Sequence, residues 1–264
     1  MQRTVSARME IDLTGTSDLI FSMAPAVPAS MVEETFSLVV DGSGVEAEEL
    51  VDRHGTRLHV LEAGPGRMLV EYQAVVTGRL APATVDPIDA ILYTRPSRYC
   101  ESDSLSPTAR AEFAGLSGHA LLAAVRAWVG ERLAYVPGSS LPTDGAARTL
   151  MARRGVCRDY AHLVIALLRA LDVPARMVGV YAPGLSPMDF HAVAEALVDG
   201  EWWVVDATGL APRQSLLRIA TGRDAADIAF LTNHRADLTL RSLQVMATVD
   251  EFSVDEPGAL VRLG

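Results

Sequence analysis

The hydrophobic pattern divides the chain into two kinds of region. Over the first eighty or so residues, apolar positions come in short runs separated by turn signals. Val5 to Leu13 alternates in part, and Thr35 to Val40 (TFSLVV) stops at Asp41-Gly42. Arg57 to Glu62 (RLHVLE) follows His54-Gly55. Gly64-Pro65-Gly66 then leads into Arg67 to Val76, with Met68, Val70 and Tyr72 on one face. Alternation bounded by turn residues predicts antiparallel strands, hence a β-rich module over residues 1–85. Residues 81–118 carry Pro82, Pro87, Pro96 and Pro107 and are expected to form an irregular linker that wraps onto the next domain.

Helical spacing takes over at Gly118. Leu121, Leu122, Val125, Trp128, Val129 and Leu133 lie on one broad face of a helix that Pro137-Gly138 ends. A second helix is expected over Asp144 to Ala152. Gly155 breaks the chain, and Cys157 to Leu171 (CRDYAHLVIALLRAL) is a strongly apolar helix stopped by Asp172-Val173-Pro174. Three strand-like runs come next: Ala175 to Tyr181, His191 to Val198 and Trp202 to Asp206. Asp199-Gly200, between the last two, is a strong hairpin signal. Leu238 to Phe252 again reads as β structure. The expected architecture is α+β: an N-terminal β-module, then a core over residues 86–264 that includes the C-terminal β segment. In that core a cysteine starts a buried helix packed on an antiparallel sheet.

Composition narrows the function. The 264 residues are 49% apolar and 21% charged, with a formal charge of −10 and a pI near 5.1. An acidic surface repels phosphate backbones, so nucleic acid is not an expected partner. The basic residues are arginines scattered along the chain, with no stripe for a membrane surface. The Leu19 to Met23 run is short and follows Glu10, Asp12 and Asp18, unlike a signal peptide, and no stretch approaches a membrane span. With only Cys100 and Cys157, thiols in a reducing compartment are the default, and the cytoplasm is the expected location. His54, His59, His119 and His234 lack metal-ligand spacing, and no phosphate-binding loop is present, so neither metal nor cofactor is expected.

Candidate chemistry centres on Cys157. The thiolate is the reactive form of cysteine, so an enzyme must stabilise negative charge on sulfur. A helix N-terminus does so with its free N–H groups and dipole, and Cys157 sits at one. Gly155 is expected to let a substrate approach the sulfur. An imidazole paired with the thiol, oriented by a third group, completes activation. The hairpin offers both: His191 begins one strand and Asp206 ends the next, fifteen residues on. The Cys157 N–H is expected to stabilise an oxyanion. Each residue alone has an ordinary structural reading: a buried small thiol, a core histidine, a turn aspartate.

The segment RGVCRDYAHL (Arg154 to Leu163), followed by LLRALDVPAR (Leu167 to Arg176), resembles the core of the transglutaminase-like superfamily. His191-Ala192, Glu195, Trp203 and Asp206-Ala207-Thr208 come after it in the family's order. Tyr93 to Asp103 (YTRPSRYCESD) resembles a segment of bacterial members that carry an N-terminal β-module. The resemblance implies a papain-like α+β fold, a nucleophile at Cys157, a base at His191 and an orienting carboxylate at Asp206. It implies a peptide or protein amide as substrate, with hydrolysis and transfer to an amine both open. A non-catalytic scaffold with the same fold is the alternative of another class. Val193 stands where the family often has Trp, which puts one cleft wall in doubt.

Around the triad, Tyr135, Gly155, Tyr160 and Trp203 are the expected cleft lining. Tyr135 is also a candidate oxyanion donor. Cys100 and Trp128 are expected to pack. Asp159 reads as a dipole partner, and His162, five residues past Cys157, points about 140° away and is not the expected base. Arg223 and Asp224 are expected to be structural or to border the cleft.

Overall fold

The computed structural model describes residues 1–264 except 28, 80, 253, 257 and 264. Seven strands come first: β1 (Gln2–Leu13), β2 (Ser17–Phe21), β3 (Ser30–Val40), β4 (Ser43–Val45), β5 (Glu48–Val51), β6 (Arg57–Ala63) and β7 (Gly66–Thr77). Next come α1 (Pro87–Leu92), α2 (Ser102–Glu112), α3 (Gly118–Arg132), β8 (Ala134–Tyr135), α4 (Ala146–Ala152), β9 (Arg154–Gly155) and α5 (Cys157–Arg169). The chain finishes with β10 (Ala175–Tyr181), β11 (His191–Val198), β12 (Glu201–Val205), a 3-10 turn at Arg213–Ser215, β13 (Leu217–Gly222), β14 (Leu231–His234) and β15 (Leu238–Val249).

Alternation drives the first module. Val5, Ala7, Met9, Ile11 and Leu13 of β1 point inward, as do Met68, Val70, Tyr72, Ala74 and Val76 of β7. They meet Leu19 and Phe21 of β2 and Leu61 and Ala63 of β6. One sheet has the order β15-β1-β7-β3-β4, the other β14-β2-β6-β5. The C-terminal β segment therefore does not belong to the core to which its sequence position assigned it. β15 pairs antiparallel with β1 from Arg3↔Val249 to Leu13↔Leu238, and β14 pairs with β2. The chain leaves the first module, builds the core and returns to complete both sheets. Long-range pairing of this kind leaves no local trace in sequence.

The expected linker is also more ordered than its prolines suggested. Pro87 occupies the first turn of α1, where no N–H is needed, and Asp86 caps that helix by accepting the Ile88 N–H at 2.9 Å. Pro107 lies inside α2. Within the core, α5 is buried almost all round, from Asp159 to Arg169. It packs on the antiparallel sheet β12-β11-β10-β13. Its fully buried leucines each contribute roughly 1.5–3 kcal/mol. Asp199 and Gly200, both with positive φ (53° and 77°), form the tight turn between β11 and β12.

Under that hairpin sits a buried charge cluster. Glu195 of β11 accepts Arg176 Nε from β10 at 2.8 Å and Arg218 Nη2 from β13 at 2.6 Å. Arg176 also lies over the Trp202 ring, 3.9 Å from its centroid. Burial opposes the Glu195 charge, but the two guanidiniums outweigh it and hold the carboxyl at about 2. The cluster ties together three of the four strands that carry the site.

Candidate active site

Two local features bring Cys157 to the surface of an otherwise buried helix. α4 ends with Arg153 in the left-handed region (φ 56°), which turns the chain into β9. β9 pairs in parallel with β8, Tyr135 against Gly155, so Tyr135 is carried to the residues just ahead of the cysteine. Val156 is extended and α5 starts at Cys157. Asp159 secures that start: Oδ2 accepts the Val156 N–H at 2.8 Å and the Ser140 hydroxyl at 2.5 Å. Asp159 is fully buried, so it is a structural cap and more than a dipole partner.

His191 opens β11, and Asp206 follows the last residue of β12, one step past the Ala194↔Val205 pair. His191 Nε2 lies 3.7 Å from Asp206 Oδ2, and both residues are buried. That spacing is an ion-pair distance. Neither ring nitrogen nor Asp206 Oδ2 closes a hydrogen bond of full geometry. Loose contacts of this kind are common in ligand-free catalytic sites. Burial alone would lower the His191 pKa, but interactions with Asp206 and Cys157 prevail and raise it to about 10. Both neighbours therefore favour the charged form of the ring. Burial opposes ionisation of Asp206 too, yet His191 and Thr208 hold its pKa below the usual value. Asp206 Oδ1 accepts from the Thr208 N–H at 2.8 Å and hydroxyl at 2.7 Å, and Arg126 Nε donates to its main-chain oxygen at 2.9 Å.

Tyr135 is 39% exposed beside Cys157. Partial burial and negative charge at Cys157 and Asp189 push its pKa up to about 12, while the Cys157 N–H acts on the same oxygen in the opposite sense. The phenol therefore keeps its proton at neutral pH.

The other expected cleft residues lie differently. Tyr160 is buried and its hydroxyl donates to the Leu133 main-chain oxygen at 2.7 Å, so it supports Tyr135 from beneath without lining a cleft. A Cβ on Gly155 would stand 2.6 Å from Asp159 Cβ. Its missing side chain makes room for the Asp159 cap, not for substrate. Trp203 pairs with Ala196 and its Nε1 donates to the Val198 oxygen at 3.1 Å, turning the indole to the hairpin's turn end. There it meets His119 edge-on, away from His191.

Cys100 is fully buried, which pushes its thiol up, and it packs in the core. His162 is buried, stacks on Tyr99 and accepts the Ala225 N–H at 3.1 Å, and burial lowers its pKa to about 4. Asp224 accepts the Tyr99 N–H at 2.9 Å, and Arg223 pairs with Asp227 at 2.8 Å. Trp128 is core, with Nε1 donating to Glu112. Sequence reasoning missed Arg126 and Ser140. Thr208 it quoted only as part of a motif, although a Thr two residues after an Asp is itself a turn signal. Among the described residues, no three His, Cys, Asp or Glu side chains converge as metal ligands, and no helix is long and apolar enough to cross a membrane.

A cysteine at the head of a buried helix, facing a hairpin that carries His and Asp, on a mixed fold of antiparallel sheets and few helices, defines a transglutaminase-like architecture. Known proteins agree with it. The model of the transglutaminase-like superfamily matches residues 115–207, which include all three candidate residues. A crystal structure from Cytophaga hutchinsonii, described as "a Putative Cysteine Protease", is 30% identical. The match covers 96% of this chain and 92% of that one, with a TM-score of 0.87. The chain belongs to the transglutaminase-like superfamily. Among curated proteins, the uncharacterized protein ML0607 of Mycobacterium leprae is 32% identical over 123 residues, a match that spans 42% of each chain. The periplasmic domain of TgpA from Pseudomonas aeruginosa aligns at a TM-score of 0.43 and 22% identity, covering 77% of this chain and 87% of that one.

Proposed function

We propose that the protein is a cysteine-nucleophile amide hydrolase, a peptidase that works through an acyl-enzyme with Cys157, His191 and Asp206 as its triad. The observation that carries this reading is His191, buried at the start of β11 with Asp206 Oδ2 3.7 Å from its Nε2, in a site where Asp206 and Cys157 both favour the charged ring. Cys157 Sγ attacks the amide carbonyl carbon and forms the C–S bond. The carbonyl oxygen takes up negative charge, and the Cys157 N–H and the Tyr135 hydroxyl stabilise it. His191 gives its proton to the departing amine as the C–N bond breaks. Water then attacks the thioester with the neutral ring as base, and the acid product leaves as Sγ is expelled. Asp206 stabilises the ring's positive charge, and Thr208 and Arg126 hold Asp206 in place.

The description of the Cytophaga hutchinsonii protein supports hydrolysis of protein amides. Transfer to an amine shares the same acyl-enzyme, so the two are separated by the acceptor. A cytoplasmic location is part of the same proposal, supported by the unpaired thiols of Cys100 and Cys157.

Casein and small peptides, assayed with and without a primary-amine probe, test the reading. Hydrolysis that Cys157→Ala abolishes, with a thioester adduct at Cys157 by intact mass, is the expected result. Probe incorporation in place of hydrolysis identifies a transferase. Neither turnover nor adduct across the substrates would favour a non-catalytic module.

A further inference from the structure

The loop that leads into β11 carries one charged group to the mouth of the site. Asp189 stands two residues ahead of His191 and is exposed. Its position is set by its neighbour: Phe190 is half-buried, with its ring against Tyr181 (5.5 Å between centroids) and Phe230 (5.1 Å). Asp189 Oδ1 accepts the Phe190 N–H at 2.7 Å, which fixes the carboxylate relative to that anchor. Among the described residues it has no ion-pair partner. Its place two residues ahead of His191 keeps the exposed carboxylate at the entrance to β11, and its charge acts on His191 and on Tyr135.

From this placement we infer that Asp189 is a specificity residue that favours a substrate carrying a positive charge on its leaving-group side. The inference rests on the triad reading. His191 must hand its proton to the departing amine, so the leaving portion of the substrate passes over the ring, and Asp189 stands two residues from that ring along the chain. A carboxylate held at the edge of a partly desolvated site, without a partner, gains most from a cation that arrives with the substrate. The chemical class is a peptide whose residue after the scissile carbonyl bears a lysine- or arginine-like side chain. Negatively charged residues at that position are disfavoured by repulsion.

Charged thiol reagents test the inference without knowledge of the natural substrate. The Cys157 sulfur attacks the thiol-side sulfur of a methanethiosulfonate, an S–S bond forms and methanesulfinate leaves. The probes are the trimethylammonium-ethyl and the sulfonato-ethyl reagents, with labelling read at Cys157 by peptide mapping. The ratio of cationic to anionic rates should fall at least about fivefold in Asp189→Asn. It should fall further in Asp189→Lys and shrink with added salt. Glu131→Gln, an equal charge change on α3, serves as the control for net charge. Equal changes in Asp189→Asn and Glu131→Gln would overturn the inference. Because any accessible thiol reacts with these reagents, this readout stands even where hydrolysis is not detected, so failure of the triad reading and failure of this one remain distinct.

Discussion

Asp159 Oδ2 accepts the Val156 N–H at 2.8 Å, and this bond closes the first turn of the helix that begins at Cys157. The same oxygen receives the Ser140 hydroxyl, and Arg158 Nη2 reaches Oδ1 at 3.1 Å. A fully buried carboxylate thus fixes the Cys157 backbone from below. Asp159→Ala removes these acceptors and leaves the Val156 N–H without a partner. A loss of about 1–3 kcal/mol in urea unfolding is expected, with slower alkylation of Cys157. Gly155→Ala should act in the same direction, because its Cβ would displace the Asp159 side chain.

Tyr135 separates the two halves of the mechanism. If its hydroxyl stabilises the oxyanion, Tyr135→Phe lowers kcat by roughly 10²-fold. Alkylation by iodoacetamide forms no oxyanion and should change less than about twofold. Steady-state kinetics alongside alkylation rates measures both. Equal losses in the two assays would instead make Tyr135 a packing residue.

Much of the core that carries the candidate site was legible in the sequence because its signals are local. The apolar run after Cys157 and the Asp199-Gly200 turn mark α5, β11 and β12 to within a residue or two. β13 escaped notice since LRIATG is buried on both faces and shows no alternation. β2 is only five residues long, and its apolar pair Leu19 and Phe21 makes sense only against β6 and β14. α1 and α2 were hidden by prolines that the helices tolerate. Of the candidate site, the placement of Cys157 at a helix start and of His191 and Asp206 at one end of a hairpin was legible. The roles of Gly155, Tyr160 and Trp203 were not, because each depends on a partner distant in sequence or on the direction of a side chain.

Glu195 predicts the acid limb of stability. Its pKa is held at about 2, below the ordinary 4.5, so its contribution is full above pH 4.5 and is lost as pH falls toward and through 2. Glu195→Gln leaves Arg176 and Arg218 without their shared counter-charge. It should cost about 3–5 kcal/mol at pH 7. Urea midpoints between pH 2 and 7 should show a shallower acid slope in the variant than in the wild type.

His191 predicts the alkaline limb with the opposite sign. Its folded-state pKa of about 10 lies above the ordinary 6.5, so the stabilisation is full below pH 6.5 and is lost as pH rises through 10. His191→Gln should lose that slope. The hydrolytic rate should fall over the upper part of the same range, because the ring no longer carries the proton that the leaving amine needs. A stability profile that is flat from pH 6.5 to 10 in the wild type would contradict the charged ring.

The most direct test is the alkylation rate of Cys157 by iodoacetamide at pH 7, in wild type and in His191→Ala, with the label located by peptide mapping. The activated-thiol account predicts a wild-type rate at least about tenfold above that of a free cysteine peptide, and a clear slowing in His191→Ala. A wild-type rate no faster than the free peptide, or one that His191→Ala leaves unchanged, would contradict it.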